Sequence, residues 1–107
     1  MKMKFENISV NKIIFETGNE DVSVSANVLK GNLSYESELV ISFSDLNLLI
    51  NKIQKNVPEN TDVSSLFESE KMYNGNLLYT LDLEKKISYP ISLGTIEFNN
   101  TVRQIRA

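Results

Sequence analysis

The sequence predicts an α+β fold: a mainly antiparallel sheet of roughly five to seven strands, open or curled into a partly closed barrel, packed against one amphipathic helix at about residues 45–56. Three observations carry this reading. Alanine, the best helix former, occurs only at Ala26 and Ala107, which disfavours a helical bundle. Val, Ile, Thr and Tyr are frequent and fall in alternating runs separated by Gly-Asn and Asn-Gly, the pattern of β-hairpins. One segment alone places its apolar residues at a helical spacing, Leu46, Leu49, Ile50 and Ile53.

At the N-terminus, Met3, Phe5, Ile8, Val10, Ile13 and Phe15 alternate but change phase twice. That predicts either one bent strand with bulges or two short strands with a turn near Asn11. Thr17-Gly18-Asn19-Glu20 reads as a turn. Val22, Val24, Ala26 and Val28 then alternate with polar residues, as do Leu33, Tyr35, Ser37, Leu39, Ile41 and Phe43. A two-residue type II′ turn at Gly31-Asn32 pairs positions whose numbers sum to 63. Val28 then faces Tyr35, Val24 faces Leu39 and Val22 faces Ile41, whereas a slip of one residue would put these partners on opposite faces. The same register opposes the small Ala26 and Ser37. The dent between them is filled by the helix or a neighbouring aromatic, or it is the floor of a small pocket.

The second of these strands runs directly into the helix. Ser44 is the expected N-cap, Asp45 suits the positive end of the helix dipole, and Lys52 and Lys55 suit the negative end. Asn56 ends the helix and Pro58 forbids its continuation. Residues 57–65 read as loop. Asn74-Gly75 signals a type I′ hairpin turn, with a clear strand after it at Leu77, Tyr79, Leu81 and Leu83. Before it, the matching register sets Glu68 opposite Leu81 and Glu70 opposite Tyr79, on the apolar side. Three explanations stand: the hairpin projects past the core with both faces wet, residues 64–72 form a short helix capped by Ser64, or the two glutamates are a functional pair beside a phenol. Glu84-Lys85-Lys86 reads as a charged turn, and Pro90 restricts its strand to an edge or a start. A last strand is expected across 94–105, with Ile96, Phe98, Val102 and Ile105 inward and Asn99-Asn100 as a bulge or turn. No internal repeat or low-complexity tract interrupts residues 1–107, so the expected organisation is a single domain.

The chain contains no histidine, cysteine or tryptophan. A His-based triad, a thiolate nucleophile and a zinc site of the usual nitrogen and sulfur type are therefore excluded. No Asp-x-Asp-x-Asp-Gly loop for calcium is present. Glu68 with Glu70, or Glu20 with Asp21, are the acid/base pairs that a carboxylate enzyme would use. No catalytic, cofactor-binding or metal-ligating residue is assigned, and the chain is expected not to be an enzyme. With a net charge of −3, affinity for phosphate backbones is not expected.

Strand, strand, strand, helix, strand, strand is similar to the element order of the OB-fold, without any motif behind it. That resemblance would imply single-stranded nucleic-acid binding through Tyr35, Tyr73, Tyr79 and Tyr89, with Lys30, Lys71, Lys85, Lys86, Arg103 and Arg106. These cations are scattered along the chain rather than interleaved with the aromatics. No apolar run exceeds three residues, so no transmembrane helix is expected, and the charged N-terminus leads into no signal-peptide core. The expectation is a cytoplasmic, non-catalytic binding or assembly module that works through a protein partner or a second copy of itself. An edge strand at either terminus is the natural place for such pairing. A small acidic immunity-type or antidote protein is a variant of the same expectation.

Overall fold

The computed structural model describes residues 2–87, 91–99 and 101–106, without the side chains of Lys30 and 101–106. Alternation and turns produce β1 (Met3–Phe5), β2 (Ile8–Glu16), β3 (Asp21–Lys30) and β4 (Leu33–Ser42), followed by helix α1 (Phe43–Lys55). After a 3₁₀ turn (Val63–Leu66) come β5 (Glu68–Lys71), β6 (Leu77–Asp82), the one-turn helix α2 (Leu83–Lys86), β7 (Ile96–Phe98) and β8 (Thr101–Arg106). A six-stranded sheet has the order β5-β6-β2-β3-β4-β8, and β1 pairs with β7 in a separate two-stranded sheet; both are antiparallel. The α+β reading holds. The barrel does not, because the larger sheet is open, with β5 at one edge and β8 at the other.

The central hairpin has the expected register, from Asp21 opposite Ser42 to Lys30 opposite Leu33. Gly31 alone of the two turn residues has positive φ, at 62°, as a type II′ turn requires. Val22, Val24, Leu39 and Ile41 are buried, and the helix seals this face with Leu46, Leu49 and Ile53. The helix begins two residues before the expected start. Ser42, not Ser44, is the N-cap: its backbone is still extended, and its hydroxyl accepts from the Asp45 N–H at 3.3 Å. Asn56 is the C-cap, as expected. Gln54 fastens the following loop, its side-chain oxygen accepting from the Val63 N–H at 2.8 Å and its amide donating to the Thr61 carbonyl.

The N-terminal alternatives each hold in part. A bulge lies between Val10 and Lys12 of β2, at Asn11, but the break between strands comes earlier, at Glu6-Asn7. Asn7 has φ of 55°, a left-handed conformation that Asn tolerates better than most residues. The chain reverses course there, so β1 leaves the main sheet and pairs with β7 instead. Phe5, Ile96 and Phe98 are buried between the layers, and Phe5 meets Phe98 edge-to-face at 6.0 Å.

Three other expectations are corrected. Residues 64–72 are neither all helix nor all strand: Asp62 caps a 3₁₀ turn by accepting from the Ser64 N–H, and β5 follows it. The hairpin turn is not the two-residue type I′. Met72 N–H donates to the Asn76 carbonyl, and Gly75, at φ 88°, closes a three-residue turn of Tyr73, Asn74 and Gly75. The extra residue moves the register by one, so Glu68 pairs with Thr80 and Glu70 with Leu78. The glutamates thus lie on the face opposite Tyr79 and Leu81. The expected strand over 94–105 is divided: β7 joins β1, while β8 joins β4 with a register shift after Val40. Ile96 and Phe98 are buried as expected; the side chains of Val102 and Ile105 lie outside the described residues, as does Pro90. Glu84-Lys85-Lys86 is not a plain turn but the body of α2, capped by Asp82 accepting from the Lys85 N–H.

Candidate functional site

The departure of β1 at Asn7 creates the most developed concavity on the covered side of the sheet. Asn7 keeps one tie to the hairpin, its carbonyl accepting from the Leu29 N–H at 3.0 Å. Beyond that tie, β1 and the tip of the β3–β4 hairpin stand apart and enclose a cleft of 470 Å³. Met3, Phe5, Val28, Leu29 and Tyr35 supply most of its apolar wall, and Ser37 lies deep in it at 3% exposure. Its titratable groups are Lys4, Glu6 and Tyr35. Volume and lining are those of a site for a small apolar group with a few polar contacts.

The rim is apolar as well. Leu29 is 45% exposed, Leu33 62% and Tyr35 41%, neighbours on one rigid hairpin end. Large aliphatic side chains gathered on a surface more often mark contact sites than those scattered singly. The Ala26/Ser37 dent is therefore resolved differently at its two halves. Both residues are buried, Ala26 at 1%, and Ser37 alone faces into the cleft that Phe5 and Tyr35 also line.

A second partly exposed apolar group lies at the opposite end of the sheet. Phe15 stacks on Tyr79 at 5.0 Å and meets Phe43 and Phe67 edge-to-face at 5.5 and 5.6 Å. These contacts hold the start of α1 and the segment before β5 against the sheet.

The carboxylate pairs do not form a shared site. Glu68 and Glu70 are exposed on the open face, and Lys86 donates to Glu68 at 2.8 Å. That ammonium holds the Glu68 carboxyl below the usual glutamate range, first by the hydrogen bond and then by its charge. Glu20 and Asp21 are exposed at the start of β3, where the Glu20 carbonyl accepts from the Phe43 N–H. Among the described residues no three acidic side chains gather to hold a metal ion.

The expected stacking residues are likewise dispersed. Tyr35 sits at the cleft, Tyr79 packs on Phe15, and Tyr73 is fully exposed in the β5–β6 turn, at the far end of the sheet from Tyr35. Tyr89 and the side chains of Lys30, Arg103 and Arg106 lie outside the described residues. Lys85 and Lys86 sit on α2 and Lys71 at the end of β5. Sequence reasoning missed the cleft. Its signals were the phase change between Phe5 and Ile8 and the untidy pairing of Leu33 with Lys30.

Comparison with known protein families, with curated proteins and with solved structures finds no match. Among the described residues no helix is long and apolar enough to cross a membrane.

Proposed function

We propose that this chain is a non-catalytic protein-binding module, and that the cleft between β1 and the β3–β4 tip receives apolar side chains of its partner. One observation carries this: Leu29, Leu33 and Tyr35 are held exposed, side by side, on a hairpin of unbroken register at the mouth of a cleft with apolar walls. Exposed aliphatic and aromatic anchors on a preorganised element resemble the centres of protein interfaces. A cysteine-free composition supports a cytoplasmic setting for it. With a net charge of −3, an antidote or immunity-type role toward a basic partner is a special case of this reading. Single-strand nucleic-acid binding has less support, since the sheet is open and the tyrosines are dispersed.

The test compares tagged wild type with Leu33→Asp/Tyr35→Ser in pull-downs from the native host, with and without nuclease. A stoichiometric protein captured by wild type and lost from the folded variant is the expected result. Capture unchanged by the substitutions, or material released by nuclease, would overturn the proposal.

A further inference from the structure

The two edges of the six-stranded sheet are β5 and β8, and among the described residues neither outer edge is paired. Unpaired edges template further strands unless something blocks them. All neighbours in the order β5-β6-β2-β3-β4-β8 are antiparallel, so β5 and β8 of one chain run in opposite directions. A second copy displaced sideways across the sheet therefore brings its β5 antiparallel to the first copy's β8, and the alternation of directions continues without a break.

Charge separates this arrangement from symmetric pairing of β5 with itself. A two-fold axis normal to the sheet keeps the same face of both copies on the same side. Glu68 and Glu70 share the open face, so registers centred on this four-residue strand set glutamate opposite glutamate. Like charges directly opposite are unfavourable. By contrast, β8 has the sequence Thr-Val-Arg-Gln-Ile-Arg, with two cations and no acid.

We propose that the chain self-associates head-to-tail, the acidic β5 edge of one copy adding to the basic β8 edge of the next. Such a contact is heterologous and does not close on itself, so it builds short open rows rather than a dimer. With only four residues in β5 the contact is weak, and its population follows concentration. It uses neither the cleft nor its apolar rim, and its failure leaves the proposed partner site untouched.

The experiment is sedimentation velocity on the full chain over about a hundredfold range of concentration, at low and high salt. Wild type should show an average mass that climbs with concentration past that of a dimer and falls back in high salt. E68K/E70K carries two basic edges and R103E/R106E two acidic ones. Each alone should remain monomeric, and an equimolar mixture should recover assembly. If R103E/R106E does not fold, E68K/E70K, altered only at exposed positions, serves alone: added to wild type it should end growing rows and lower their mean mass. Wild type that stays monomeric, a mass that stops at a dimer, or assembly indifferent to E68K/E70K would overturn the proposal.

Discussion

Replacing Gly75 tests the link between one turn residue and the position of two glutamates. Gly75 sits at φ 88°, and nothing lies within 4 Å of where a Cβ would be. Gly75→Ala therefore meets no steric neighbour, and its cost is conformational: about 1–2 kcal/mol for a left-handed alanine, less the few tenths gained by stiffening the unfolded chain. The net loss is about 1 kcal/mol, or roughly a 4 °C fall in Tm for a domain of this size. Gly75→Asn should cost about half as much, since Asn tolerates positive φ. Gly18 is the control. Its φ is 85°, but an added Cβ there meets the Asn76 amide nitrogen at 3.3 Å, so Gly18→Ala should cost more than Gly75→Ala. Deleting Tyr73 should be tolerated, because Met72 stays opposite Asn76 and the remaining Asn74-Gly75 is a good type I′ pair. The assay is reversible thermal unfolding of the variants, with cross-strand NOEs between Glu68 and Thr80 to read the register. A Gly75→Ala variant as stable as wild type would refute the turn assignment. So would a Tyr73 deletion that moves Glu68 away from Thr80.

Gln54→Ala should lower stability by about 1–3 kcal/mol, because it leaves the buried Val63 N–H without its acceptor; hydrogen exchange at the Val63 amide should speed up by more than global destabilisation explains. Phe98→Ala removes a fully buried ring that packs edge-to-face on Phe5, and denaturant unfolding should show a loss of about 3–5 kcal/mol. NMR titration should find Glu68 below the ordinary glutamate pKa, and Lys86→Ala should return it to the ordinary range. A carboxyl depressed in the folded state stabilises above its unfolded-state pKa and loses that contribution as pH falls through the folded value. Since Glu68 is exposed, the stability change should be small and should vanish in high salt.

What was legible in the sequence depended on how many constraints met at one place. The β3–β4 register was readable because the turn chemistry of Gly31-Asn32 and the alternation of Val22, Val24 and Val28 specify the same pairing. The β5–β6 register was not. There the Asn-Gly signal pointed to a two-residue turn, and β5, exposed on both faces, has no apolar pattern to contradict a slip. The puzzle of two glutamates on an apolar face came from that one-residue error, and it disappears when the turn holds three residues. Helix α1 was legible in its stripe but not in its first turn, since Ser42 and Ser44 are equally good caps by composition. The cleft depends on β1 pairing with β7, some 90 residues away in sequence, a contact with no local signal.

The architecture also limits where recognition can occur. The inner face of the main sheet is occupied by α1 and the β1–β7 pair, and its side chains are the core. The outer face carries Ser23, Ser25, Glu36, Glu38, Glu68 and Glu70, half-buried or exposed polar groups that water already satisfies, so covering them brings little hydrophobic gain. What remains are the places where the layers do not coincide. At the hairpin tip, the sheet extends beyond the cover that β1 provides, and Leu33 and Tyr35 are left projecting. At the two sides, hydrogen-bonding strands end without neighbours among the described residues. A partner that buries apolar surface would therefore engage the tip, whereas one that extends the sheet would engage an edge. The two modes differ in salt response: contact at the tip should strengthen or hold steady as ionic strength rises, and contact between oppositely charged edges should weaken.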